Sequence, residues 1–295
     1  VTFYNQGELE AAIAEWRETI RLDPNYGQAY LNLGIALAEQ GNLKEAIAAY
    51  REAIRLDPNR TEAYLNLGVT LIDRGNLEEA IAPLKEAIRL DPTNATAYSN
   101  WGFILIEQRN WGAAIAPLQE VIRLDPTDAT AYYNLGLALI NQEQSKDAIA
   151  PLREAIRLTP DDVDTHWLLG YALFMQSEWT EAIASLKEVI RLDPNDAEAY
   201  RFLGDALSRQ SEWTDAIAEY QKAIKIDATD ADAYYSLGIA LIEQGQSESA
   251  ITTLKKARDL YRDRGQIEAA KDIEQLLQEI AQRYSSSHVD EVQSR

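Results

Sequence analysis

Seven glycines stand 34 residues apart along this chain: Gly34, Gly68, Gly102, Gly136, Gly170, Gly204 and Gly238. Each interrupts a stretch that otherwise reads as helix, as in "AYLNLGIAL" from Ala29 to Leu37. Glycine inside a helix costs ~1 kcal/mol relative to alanine. A chain that accepts this at a fixed interval is built from one unit used repeatedly. Two other registers share the period. Ala12, Ala46, Ala80, Ala114, Ala148, Ala182, Ala216 and Ala250 form one. Pro24, Pro58, Pro92, Pro126, Pro160 and Pro194 form the other, which fails only at Ala228.

Each unit holds two helical patterns. Tyr30, Leu33, Gly34 and Leu37 share a stripe on the first. Leu43, Ala46, Ile47, Tyr50, Ala53 and Ile54 share one on the second. Both are amphipathic helices. Small residues at Gly34 and Ala46 let the two antiparallel helices approach closely, which offsets the lost propensity. The residue after each proline position (Asn25, Asn59, Thr93, Thr127, Asp161, Asn195 or Thr229) suits a helix N-cap. Asn59 with Glu62, Asn195 with Glu198, Asn42 with Glu45 and Asn76 with Glu79 have capping-box spacing. One helix pair cannot bury its own apolar faces, so units stack on their neighbours.

The composition agrees. Length alone, 295 residues, suggests about two globular domains, but only 14 Gly and 9 Pro punctuate the chain. No apolar run approaches the roughly 20 residues that span a bilayer. There is no cysteine, which excludes disulfides, thiolate catalysis and Cys-ligated metals, and fits a cytoplasmic location. The net charge of −20 argues against nucleic acid and anionic membrane as partners, since both require a basic surface. No Gly-rich phosphate loop, no nucleophile–histidine spacing and no metal-ligand cluster is present. The expectation is therefore no enzyme and no cofactor. The chain opens at Val1 without methionine, as a processed chain or a piece of a longer one would.

Tyr30, Leu33, Gly34, Ala46, Tyr50, Ala53 and Pro58 fall on the signature positions of the tetratricopeptide repeat, and the chain resembles that family over residues 1–264. The resemblance implies an all-α, right-handed superhelical solenoid of antiparallel helix pairs, with a concave groove lined by first helices. It places a half repeat at 1–26 and seven repeats starting near 27, 61, 95, 129, 163, 197 and 231. A capping helix at 265–284 and a disordered tail at 285–295 complete the expected organisation. "VTFYNQ" reads as the tail of an incomplete first helix, leaving Leu9, Ile13, Trp16 and Ile20 partly uncovered. The expectation is association between copies through that N-terminal edge. Pro83, Pro117 and Pro151 lie inside second helices and should bend them.

Family members mostly bind peptides or proteins in the groove, through first-helix positions two, five, six, nine, twelve and thirteen. Position six carries Asn32, Asn66, Asn100 and Asn134 in register. Such a row resembles the asparagine ladder in the repeats of O-linked N-acetylglucosamine transferase, and an amide can both donate to and accept from a peptide backbone. Phe103, Tyr133, Trp167, Tyr171, Phe174 and Phe202 occupy groove positions as well, and clustered aromatics in a concavity mark binding sites. Acids at Glu39, Asp73, Glu107 and Glu243 would attract a basic segment. The carboxylate clamp of the co-chaperone members is not matched. Position two has no basic residue, and position nine carries Ile35, Val69, Phe103, Leu137, Tyr171, Asp205 and Ile239 in place of asparagine. Trp111, Trp179 and Trp213 open second helices and are expected in the core; His166 is expected to be a packing residue. The sequence thus points to a scaffold that binds an extended peptide or partner protein with a basic or aromatic/aliphatic segment. The alternative is a spacer, self-assembly or recruitment region of a larger enzyme or signalling protein.

Overall fold

The computed structural model describes residues 6–293, with side chains from residue 8 to 282. The described residues form sixteen α-helices and no strand. They divide into two compact units after Gln144. The first contains α1 (Gln6–Leu22), α2 (Gly27–Glu39), α3 (Leu43–Leu56), α4 (Thr61–Asp73), α5 (Leu77–Leu90), α6 (Ala95–Glu107), α7 (Trp111–Leu124) and α8 (Ala129–Asn141). The second contains α9 (Ser145–Leu158), α10 (Val163–Met175), α11 (Trp179–Leu192), α12 (Ala197–Arg209), α13 (Trp213–Ile226), α14 (Ala231–Glu243), α15 (Ser247–Asp263) and α16 (Ile267–Gln293).

The repeated glycine has a specific neighbour, and it lies one turn beyond the alanine register. A Cβ on Gly34 would stand 2.5 Å from the Tyr50 ring, and one on Gly204 would stand 2.6 Å from Tyr220. At Gly68 and Gly238 the obstacles are Leu84 and Leu254. The second helix thus presses a large side chain onto the bare backbone of the first. Tyr50, Leu84, Tyr220 and Leu254 are all buried there, as is the alanine row from Ala46 to Ala250.

The turn inside each unit is a Schellman motif. The N–H of Asn42 donates to Leu37 at 2.8 Å and that of Gly41 to Ala38 at 2.9 Å. Gly41, Gly75 and Gly245 take a left-handed conformation (φ 84°, 83° and 76°), for which glycine suffices. Arg109, Glu143, Ser177 and Ser211 adopt it with side chains, at φ 54° to 62°.

The link between units differs from the sequence expectation by one residue. Helices start after Tyr26, Arg60, Asn94, Asp128, Asp162, Asp196 and Asp230. The last five of these accept a bond from the third residue on, such as Ala131 N–H to Asp128 at 2.9 Å. Where an aspartate precedes the proline, it binds the residue after the proline instead, in an Asx turn: the Asn25 N–H donates to Asp23 at 3.0 Å and that of Thr127 to Asp125 at 2.9 Å. The same turn forms around Ala228, where the Thr229 N–H donates to Asp227 at 2.8 Å, so the aspartate and not the proline holds it. Asn59 and Asn195 are therefore not caps. Asn42 and Asn76 hold the N-cap position of α3 and α5 without a side-chain cap bond.

Within each unit, every second helix packs on the first helix that follows it. First helices also touch successive first helices: α2 with α4, α4 with α6 and α6 with α8 in one unit, α10 with α12 and α12 with α14 in the other. The backbones of successive second helices stay further apart and are bridged by long side chains, as in the Arg17–Glu45 pair at 2.6 Å and the Arg51–Glu79 pair at 3.3 Å. The first helices thus occupy the tighter side of each stack and form a continuous face. The helices containing Pro83, Pro117 and Pro151 run fourteen residues each without interruption.

Both ends depart from expectation. On α1, Leu9 and Ile13 are buried, while Trp16 and Ile20 are half-buried against the α2–α3 core. The uncovered apolar surface is thus smaller than the missing partner helix suggests. Residues 1–5, read from sequence as part of a preceding helix, lie outside the described residues. At the other end Ala270, Ile273, Leu277 and Ile280 pack onto Leu254, Ala257 and Tyr261. The helix then continues to Gln293, through a stretch read from sequence as disordered from 285. "SSSHVDEVQ" contains neither glycine nor proline to stop it. No described helix is long and apolar enough to cross a membrane.

Candidate functional site

The expected binding residues fall on first helices in both units. In the first, Asn32, Asn66, Asn100 and Asn134 stand at one register of α2, α4, α6 and α8, each half-buried. Their amides are not equivalent. Asn32 accepts from Gln28 Nε2 at 3.0 Å, and Asn100 Nδ2 donates to its own helix at the Thr96 carbonyl, 2.8 Å. Asn66 borders a recess of about 410 Å³ with Ile35, Val69, Glu39, Glu62 and Asp73. Three carboxylates surround that amide. Phe103 on α6 is 41 % exposed, and Tyr133 on α8 is half-buried.

In the second unit the structure gathers four predicted aromatics into one cluster. Trp167 and Tyr171, one turn apart on α10, stack at 5.7 Å. Phe202 on α12 meets Trp167, Tyr171 and Phe174 edge-on at 5.6, 6.0 and 5.6 Å, the preferred geometry for ring pairs. Phe174 also meets Trp179 at 5.0 Å. Trp179 is therefore a half-buried member of this face and not a core residue as the sequence suggested; Trp213 packs against the core as expected, though only half-buried, and Trp111 is half-buried too. His166 is buried, its Nε2 2.9 Å from the Pro160 carbonyl, as a packing residue should be.

Beside the cluster opens a cleft of about 770 Å³ between α10, α12 and α14. Tyr171, Phe174 and Phe202 line it, with the exposed Met175 and Tyr235. Its charged groups are Asp205 and Arg209; Asp205 accepts from the Tyr220 hydroxyl at 2.8 Å, and Ser208 lies 3.3 Å from the same hydroxyl. Burial pushes the Asp205 carboxyl up, partly offset by the Tyr220 bond and the Arg201 charge. Burial likewise pushes the Tyr220 phenol up, and the adjacent Asp205 charge adds to it. Sequence reasoning noted Asp205 only as a break in the clamp pattern. Tyr220 was hidden because it enters from a second helix, through the gap left by Gly204.

Among the described residues no cluster of His, Asp or Glu could hold a metal ion. The groove positions carry apolar, amide and carboxylate groups, suited to noncovalent recognition.

Residues 2–198 match a family model described as the cilia and flagella-associated protein 70 C-terminal domain. Residues 204–245 match a TPR repeat model, and residues 232–264 a tetratricopeptide repeat model. The chain belongs to the tetratricopeptide-repeat family. This tetratricopeptide-repeat chain is 26 % identical to YrrB, described as a TPR protein with an unusual peptide-binding site, at a TM-score of 0.60 over 63 % of this chain and 96 % of that one. It is 28 % identical to MamA, at a TM-score of 0.55 over 59 % and 95 %. The C-terminal part of a TPR repeat-containing protein from Cytophaga hutchinsonii shares the fold over 78 % of this chain and 95 % of that one, at 20 % identity and a TM-score of 0.62. No curated protein matches.

Proposed function

We propose that this tetratricopeptide-repeat chain is a protein-interaction scaffold whose first-helix face binds an extended peptide segment of a partner. The observation that carries the reading is the ring cluster of Trp167, Tyr171, Phe174 and Phe202 beside an open cleft at groove positions. Aromatic side chains left half-exposed on a concave surface are the residues that dominate binding energy at interfaces. The YrrB likeness supports a peptide as the ligand class. Asn66, bordering its own recess, suits contact with a peptide backbone. The family's members are typically non-enzymatic scaffolds, and no catalytic role is proposed.

The test is selection of peptides on the immobilised full chain, followed by titration against variants. Trp167→Ala and Tyr171→Ala should each weaken a selected peptide by about 2 kcal/mol if they are hot spots, with circular dichroism unchanged. Unchanged affinity in both would reject this face.

A further inference from the structure

The cleft of the second unit holds an acid that binding of an apolar segment does not use. Asp205 stands at position nine of α12, where other first helices carry Ile35, Val69, Phe103, Leu137, Tyr171 and Ile239. One carboxylate oxygen accepts from Tyr220 at 2.8 Å. The other faces Arg201 at 3.7 Å, but that guanidinium is shared. Glu198 holds it at 3.2 Å and Asp230 at 3.4 Å, so Asp205 has the longest of three contacts. The cation that lines the cleft, Arg209, extends over the Trp179 ring at 5.9 Å. Three carboxylates therefore compete for one guanidinium at this edge. The Asp205 side chain nevertheless keeps 22 % of its surface open.

We propose that this cleft receives an arginine side chain of the partner peptide, with Asp205 as its counter-ion and Tyr171, Phe174 and Tyr235 as its aromatic walls. The inference rests on the peptide-binding reading and assigns it a residue class. A carboxylate in a partly desolvated site attracts a cation more strongly than one in open water. An arginine is planar, stacks on rings and offers forked donors. The chain already packs guanidinium groups in this way, with Arg201 over Phe202 at 4.7 Å. An acidic side chain would meet the Asp205 carboxylate, while the lining cation Arg209 is already placed over the Trp179 ring. An aliphatic one would strip water from Asp205 without replacing it, which is costly.

The experiment is fluorescence anisotropy of the full chain with two labelled ten-residue peptides of alanine, leucine and serine. One carries a single central arginine, the other citrulline, which has the same shape without the charge. Wild type should prefer the arginine form by roughly tenfold to a hundredfold, the effect of a charge-assisted pair. Asp205→Asn keeps an acceptor for Tyr220 and should abolish the preference, bringing the arginine and citrulline peptides to equal affinity. Asp205→Glu should retain part of it. If Asp205→Asn does not fold, the exposed Tyr235→Ala carries the test and should weaken the arginine peptide more than the citrulline one. Binding of both peptides without preference overturns the arginine pocket and leaves the peptide-binding face standing. A preference that survives Asp205→Asn, or for Tyr235→Ala equal loss with both peptides, also overturns it. Failure of both peptides to bind wild type at millimolar concentration overturns the pocket and the face together.

Discussion

Adding one methyl group at Gly34 and at Gly102 should give different results, although the two positions are equivalent in the repeat. At Gly34 a Cβ would lie 2.5, 2.7 and 3.0 Å from three atoms of the Tyr50 ring. That ring is rigid and 2 % exposed, so it has nowhere to turn. At Gly102 the neighbours are two Leu118 atoms at 3.0 and 3.2 Å, which need to give by only a few tenths of an ångström. Overpacking a core costs ~1–3 kcal/mol, while glycine to alanine inside a helix returns ~1 kcal/mol. Gly34→Ala should therefore destabilise by about 1–2 kcal/mol, whereas the terms nearly cancel at Gly102. Gly204→Ala, with Tyr220 atoms at 2.6, 2.7 and 3.0 Å, should behave like Gly34→Ala. Stacked repeats can open locally, so the assay is amide exchange read by mass spectrometry. Gly34→Ala should speed exchange in α2 and α3 selectively. Equal losses in Gly34→Ala and Gly102→Ala, or increased protection in Gly34→Ala, would refute the close-packing account of the glycine register.

Four further outcomes are expected. Arg109→Gly and Glu143→Gly should each stabilise by up to ~1 kcal/mol in urea melts, because both residues hold left-handed backbone that glycine adopts freely. Asp128→Ala should cost ~1 kcal/mol as a lost N-cap, and Asn195→Ala much less, since only the backbone N–H of Asn195 is bound by Asp193. Asp205→Asn should raise the melting temperature at pH 7. A carboxyl raised on folding binds protons more tightly in the folded state, so stability falls as pH rises through its folded pKa. Tyr220, Arg201, Ser236 and Arg209 act against that rise, and the melting-temperature gain of the variant should shrink in acid. Asn66→Ala should weaken a selected peptide by ~0.5–1.5 kcal/mol and Asn100→Ala by less, because the Asn100 amide donates to Thr96.

The fold could be read from sequence because its decisive feature is a recurrence inside one chain. Glycine, alanine and proline registers locate every helix pair without any geometry. What escaped depends on which atoms meet. Both Asn195 and Asp196 can cap a helix, and only the Asx turn in which Asp193 binds the Asn195 N–H decides between them. The glycine register shows that something approaches closely, but not that Tyr50 does so from the second helix. "SSSHVDEVQ" is polar enough to suggest disorder, yet nothing in it ends a helix. Of the candidate site, Trp167, Tyr171, Phe174 and Phe202 were found through their register and do meet. Trp179 was assigned to the core because position implies average environment, whereas its ring reaches the first-helix face. Asp205 and Tyr220 looked unrelated because 15 residues and a helix turn separate them.

The most direct test of the proposed binding face is amide exchange of the full chain with and without a selected peptide at saturation. Protection should rise in α10, α12 and α14. Protection confined to α11, α13 and α15 would contradict binding across the first helices.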